Sequence, residues 1–357
     1  MKIIHCADIH LDSSLEGLSS KKSQTRKAEI VSSFIRLCEY AKSEQVTAVI
    51  IAGDFFDYKK TTKRTLEQVG YAIKNAYPVE FLYLIGNHDQ NSMAVEYFKD
   101  IENFKVFSKG YSTFKYDNGV IAGLDMDSNS SNSYYDLIRL DDDNFNVLVM
   151  HGQIADYKGN EKSDLVSLPY LRNKNIDYLA LGHYHSYQQG RLDDRGIYAY
   201  SGCLDGRGFD ELGDKGFIVI DTEKKDFISF VKFSSRIYQT IDINVSEYDN
   251  FVQVENEVFR ILEEINKDSI VKVNFIGEHD ADFYIDKDFL AERLNNIFFY
   301  ANVVDNTTLN IKEDDYLFDK TVRGEFLKLV CSSSLSDEQK KKVISCGLNA
   351  LKGDKLI

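Results

Sequence analysis

The sequence predicts an α/β fold: a layered core of β-sheets flanked by helices, followed by a smaller α+β unit and a C-terminal helical segment. Three observations predict it. Over residues 1 to about 235, short apolar runs rich in β-branched residues alternate with segments of helical periodicity. Near residue 238 the pattern becomes a strand, helix, strand, helix, strand series, and beyond about 314 it is helical.

The elements follow in order. KIIHCA (2–7), VTAVIIAG (46–53), VEFLYLIG (79–86), FNVLVMHG (145–152) and IDYLALGH (176–183) are nearly continuous apolar runs, as strands covered on both faces should be. Between them, residues around 24–43 and 61–76 have helical spacing, with Ile30, Phe34, Leu37 and Ala41 on one face. GIYAYSG (196–202) and the stretch 215–233 read as a closing antiparallel meander. Next come the strand YQTIDINV, a helix over roughly 248–266, SIVKVNFIG, a helix over roughly 286–298, and ANVVDNT. In the last segment, Ser336 and Gln339 have capping-box spacing, and Gly353 stands where a helix should stop. The expected domains are 1–236, 237–312 and 313–357.

Composition narrows the class. The chain has 357 residues, 43% hydrophobic, with two prolines, so it describes an ordered globular protein. It shows no repeat, no low-complexity tract and no apolar run near the roughly 20 residues of a membrane helix. The N-terminus enters a strand pattern at once, leaving no room for a signal peptide. Five cysteines without a CxxC read as reduced, mostly buried thiols, and together these features point to a cytoplasmic protein. Net charge is −14, unevenly spread. Residues 1–100 carry 13 basic and 13 acidic side chains, whereas 201–300 carry 11 and 21. The later segment would repel a polyanion, which argues against broad nucleic-acid binding there.

The strand ends carry the chemistry. The first ends in Asp8-Ile9-His10, the second in Gly53-Asp54, and the third in Gly86-Asn87-His88-Asp89. The remaining two end in His151-Gly152 and Gly182-His183-Tyr184-His185. Five of the seven histidines fall at these ends, where ligands collect in α/β sheets. Asp, Asn and imidazole without thiolate suit manganese, iron or zinc. A carboxylate between two such cations makes the two-metal arrangement of phosphoryl transfer. Glycines beside Asp54, Asn87, His151 and His183 permit close approach.

In this order and spacing, DIH, GDFFD, GNHD, MHG and GHYH resemble the calcineurin-like metallophosphoesterases. The DIHLD opening, SGCLDGRGFDELGDKG (201–216), the acidic α+β unit and the ending RGEFLKLV…GLNALKG resemble the SbcD/YhaO branch of DNA-repair exonucleases. The resemblance implies one metal held by Asp8, His10 and His185, and a second by Asn87, His151 and His183, with Asp54 bridging. His88 would act on the scissile phosphate and Asp89 would hold its imidazole. The implied reaction is in-line attack on a phosphodiester by a hydroxide between two divalent ions, manganese foremost and iron or zinc as alternatives. Implied partners are DNA and an SbcC-like coiled-coil ATPase; a second copy of the chain is a further candidate, on which the sequence is silent. One departure is Asp57, where eukaryotic and archaeal relatives of SbcD have histidine. Bacterial SbcD-like sequences also have Asp there, so the position reads as a branch marker.

Other residues have competing readings. Lys59-Lys60-Thr61-Thr62-Lys63-Arg64, and Lys21, Lys22, Arg26 and Lys27, are DNA-backbone contacts or ordinary solvated positions. The C-terminal helices, with Phe326, Leu327, Val330, Val343, Ile344, Leu348 and Leu351, pack on the protein or serve the ATPase. Asp12 is a candidate brace for the first motif; His5 reads as structural and His279 as solvated. Two further functional readings stand beside the DNA nuclease. One keeps the metals but takes a small phosphodiester or phosphomonoester. The other is a non-catalytic adaptor of an ATPase complex, which degenerate ligands would favour.

Overall fold

The computed structural model describes all residues except 16, 58–60, 87, 88, 90–92, 126–131, 156–164, 281, 282, 284, 311–316 and 353–357. The chain forms two compact units, Met1–Tyr238 and Gln239–Ile357.

The first unit opens with β1 (Lys2–Cys6), α1 (Ser20–Ser43), β2 (Ala48–Ala52), α2 (Lys63–Asn75), β3 (Glu80–Leu84), α3 (Met93–Phe98) and β4 (Phe104–Val106). The four strands run parallel in that order. A second sheet is built from β5 (Gly110–Tyr116), β6 (Gly119–Asp125) and β7 (Phe145–His151). After the two-residue strands β8 (Gln153–Ile154) and β9 (Leu165–Val166) and the one-turn α4 (Leu168–Leu171), it gains β10 (Tyr178–Gly182), β11 (Gln188–Arg191) and β12 (Ile197–Tyr200). Its order is β11-β12-β10-β7-β6-β5. The chain then returns to the first sheet with β13 (Gly216–Asp221), antiparallel to β1, and β14 (Ile228–Lys232).

Both faces of the first sheet are covered, which is why its strands read as unbroken apolar runs. Along β1, Ile4 and Cys6 pack toward Phe34 and Leu37 of α1. The alternate residues Ile3 and Ala7 share a core with Val147 and Tyr178 of the second sheet. The predicted α1 stripe is buried as a set: Ile30, Phe34, Leu37 and Ala41 are at most 3% exposed. Burial of each large side chain among them is worth roughly 1.5–3 kcal/mol. His5 is buried too, its Nδ1 2.8 Å from the Tyr178 hydroxyl.

Two features differ from the sequence expectation. β12 does not join a meander with β13; it lies parallel to β10 in the second sheet. Pattern along one strand says which faces are apolar, not which neighbour it pairs with. In addition, β4 to β6 and α3 fill residues 93–125, where no element was expected.

The second unit contains β15 (Tyr238–Asn244, entering from the first), α5 (Phe251–Leu262), β16 (Ile270–Ile276) and β17 (Glu278–His279). It continues with α6 (Lys287–Asn295), β18 (Tyr300–Asp305) and β19 (Thr308–Leu309). β16 and β18 are parallel, and Val254, Val258, Leu290 and Leu294 share a core with Val271, Val273 and Phe275. Asn250 and Asp286 cap α5 and α6 by accepting from the Gln253 and Phe289 N–H groups. Two C-terminal helices, α7 (Val322–Cys331) and α8 (Asp337–Lys352), meet through Leu327, Val330, Ile344 and Leu348. Ser336 and Gln339 form the reciprocal capping box, with bonds of 3.0 and 3.3 Å. Among the described residues, no helix is long and apolar enough to cross a membrane. All five cysteines are free thiols, and Cys6, Cys38 and Cys203 are buried.

Candidate metal centre

The first two strands stay hydrogen-bonded beyond their ends. The Asp8 N–H donates to the Gly53 carbonyl at 3.1 Å, and the His10 N–H to the Asp54 carbonyl at 2.9 Å. Past the strand ends, Asp8, His10 and Asp54 leave the extended conformation, with φ values of 50°, 46° and 51° in the left-handed region. Holding a non-glycine residue there costs on the order of 1–3 kcal/mol, a cost typical of functional turns.

The second sheet supplies the opposite wall. His151 and Gly182 are register partners on β7 and β10, which places His151 and His183 together. His151 Nδ1 donates to the Ala52 carbonyl at 2.9 Å, so its Nε2 faces the site. Both oxygens of Asp8 accept from the His183 N–H at 2.9 Å. Glycine makes the approach possible at two points: a Cβ on Gly182 would strike the Ala52 carbonyl oxygen, and one on Gly86 the Asp54 carboxylate.

Two donor groups result. Asp8, His10 and His185 offer ligand atoms within 4.8 Å of one another, and so do Asp8, Asp54 and His151. Asp8 belongs to both. Asp54 Oδ2 lies 3.3 Å from His151 Nε2 and 3.6 Å from His10 Nε2, between imidazoles of the two sheets. The His183 ring stands 5.4 Å from that of His151, centroid to centroid. Asn87 and His88 lie outside the described residues.

The electrostatics suit a cation. Asp8, Asp54 and Asp89 are at most 2% exposed. Burial raises the Asp8 carboxyl to about 6, and burial together with the Asp54 charge raises Asp89 to about 7. For His151, burial pushes the pKa down, but the hydrogen bond and charge of Asp54 outweigh it and raise it to about 9. Buried carboxylates closed against imidazoles, with no thiolate among the donors, fit hard-to-borderline divalent ions.

Three residues do work that the sequence did not reveal. Asp89 accepts from the Phe55 and Phe56 N–H groups at 2.8 Å each, clamping the turn that carries Asp54. Glu211 is 2.8 Å from His185 Nδ1, and Arg207 pairs with Glu211. Both lie in 201–216, a segment that shows no metal-ligand spacing of its own. Asp12 accepts from the Thr62 N–H at 2.7 Å, which ties it to the start of α2. Thr62 caps α2, and Lys63 sits at that helix start 3.7 Å from Glu67. Lys59 and Lys60 lie outside the described residues. Arg26 is not available to a ligand: fully buried, it is bound to Asp205 and Glu29 at 2.7 Å each.

Two layered α/β sheets that gather buried carboxylates and imidazoles at their strand ends make a site suited to metal-dependent hydrolysis. The chain belongs to the calcineurin-like phosphoesterase family, whose model matches residues 1–187, and the family binds two divalent metals. It is 24% identical over 337 residues to a DNA double-strand break repair protein Mre11 of Sulfolobus acidocaldarius, covering 88% of this chain and 85% of the relative. A Mre11 protein of Methanosarcina acetivorans is 25% identical over 299 residues, 79% of this chain and 46% of its own length. The uncharacterized metallophosphoesterase YhaO of Bacillus subtilis is 24% identical over 269 residues, 70% of this chain and 64% of its own. The chain thus spans most of one relative and about half to two thirds of the other two.

Proposed function

We propose that the protein is a metal-dependent DNA phosphodiesterase, a nuclease of the DNA-repair type. The observation that carries this reading is the pair of donor groups sharing the buried Asp8, with Asp54 between the imidazoles of His10 and His151. The names of the Mre11 relatives support DNA as the substrate. In this reading, Asp8, His10 and His185 hold one divalent ion, and Asn87, His151 and His183 the other, with Asp54 between them. When bound, two such ions bring the pKa of water toward neutrality and offset phosphate charge. Asp89 fixes the Asp54 turn, and the Ala52 carbonyl keeps His151 Nε2 aimed inward. His88 is assigned to the leaving oxygen, as donor or proton source.

Manganese is the proposed ion, and the cytoplasm the proposed location. An SbcC-like coiled-coil ATPase and a second copy of the chain are the proposed partners. A second reading, hydrolysis of a small phosphate ester, draws on the excess of 21 acidic over 11 basic residues in 201–300. The test is manganese-dependent cleavage of end-labelled DNA beside bis-(p-nitrophenyl) phosphate, with wild type, Asp54→Ala and His88→Ala. DNA cleavage lost in both variants supports the nuclease. Turnover of the small ester alone would replace it with the second reading, and DNA cleavage surviving both changes would reject the site.

A further inference from the structure

We propose that Glu211, held by Arg207, is a positioning residue for His185: it fixes which imidazole nitrogen carries the proton and leaves Nε2 for a divalent ion. The inference rests on the reading of His185 as a metal ligand.

Hydrogen-bond capacity supplies the argument. His185 Nδ1 lies 2.8 Å from Glu211 Oε1. A carboxylate cannot donate, so the ring does, and Nδ1 bears the hydrogen. Arg207 Nη2 also comes within 3.1 Å of Nδ1, but a guanidinium only donates and a protonated Nδ1 cannot accept. Its bonds therefore go to the carboxylate, where Nε reaches Oε1 at 3.0 Å and the Arg207 backbone N–H reaches Oε2 at 2.7 Å. Glu211 is 2% exposed, and its ionised state is matched by the guanidinium rather than by water.

The same segment grips His185 from a second side. Lys215, also 2% exposed, donates to the His185 carbonyl at 2.9 Å. Both main chain and ring of His185 are thus set by residues 207–215. Neutral imidazole in water divides itself between two tautomers, and only one of them has a lone pair on Nε2. A carboxylate behind the ligating ring typically contributes 10- to 100-fold in metal affinity.

The test uses the full-length chain and Mn²⁺ alone, by calorimetry, with wild type, Glu211→Ala, Glu211→Gln and His185→Ala. Circular dichroism reports folding, and long-range ¹H–¹⁵N correlation of the imidazoles reports tautomers. Glu211→Ala is expected to weaken one of two manganese sites by about 10-fold or more and to lose the Nδ1–H tautomer of His185. Glu211→Gln keeps the volume and an acceptor, so it should fold and weaken the same site by at least about threefold. Folded Glu211 variants that bind both ions as wild type does, or a wild-type His185 bearing its hydrogen on Nε2, would overturn the proposal. A His185→Ala chain with both sites intact would instead remove the ligand reading beneath it.

Discussion

In the proposed ligand set, a divalent ion taken up at His151 must expel a proton. In the metal-free chain, Asp54 holds the His151 imidazole charged up to about pH 9. Nδ1–H is committed to the Ala52 carbonyl, so the displaced proton leaves Nε2, which faces Asp54 Oδ2 at 3.3 Å. At pH 8, Asp8, raised to about 6, and Asp89, raised to about 7, are already mostly ionised. The expected release at that pH is therefore about one proton per occupied His151 site. The apparent affinity should rise roughly tenfold per pH unit from 6.5 to near 9, then level off. Below about 6, protonation of Asp8 adds to the competition and the dependence steepens. Calorimetric titration with Mn²⁺ at pH 8, in Hepes and in Tris, gives the proton count from the difference in heats. Tight binding with equal heats in both buffers, or affinity flat between pH 6.5 and 8.5, would refute the reasoning. The same groups set metal-free stability. Asp8, Asp89 and His151 are all raised in the folded state, which therefore binds more protons than the unfolded chain. Their contribution to stability is full at acid pH and declines as pH rises from about 4 to 9.

Other substitutions test other parts of the centre. Asp54→Asn should lower manganese-dependent phosphodiester cleavage by on the order of 100-fold or more. The metal-free chain should stay folded, as circular dichroism in EDTA would show, while His151 loses the partner that keeps it charged. Gly182→Ala puts a methyl group against the Ala52 carbonyl, and should cost on the order of 3 kcal/mol in urea unfolding. Asp205→Ala takes from the fully buried Arg26 guanidinium one of its two carboxylate partners, for an expected loss of about 3 kcal/mol by the same measurement. Chelation of the bound ions should lower the melting temperature of wild type at pH 8 far more than that of Asp54→Asn.

Local pattern determined much of this protein. The five apolar runs of the core strands, the Ile30 stripe of α1 and the Ser336 capping box are all short-range signals, and each appears in the fold where residue spacing places it. The convergence of acids and imidazoles on strand ends was likewise legible, because strand ends can be read from neighbours along the chain. Pairing across the chain was not. Which sheet takes β12, that Arg26 turns inward to Asp205, and that Asp89 clamps the Phe55–Phe56 backbone are set by contacts between residues 19 to 179 positions apart. Glu211 and Arg207 belong to the same class: two ordinary charges in sequence, they acquire a role only where the segment before β13 passes behind His185. Propensity and periodicity act over a few residues, whereas the direction of a buried hydrogen bond is decided by whichever distant group folding brings within about 3 Å.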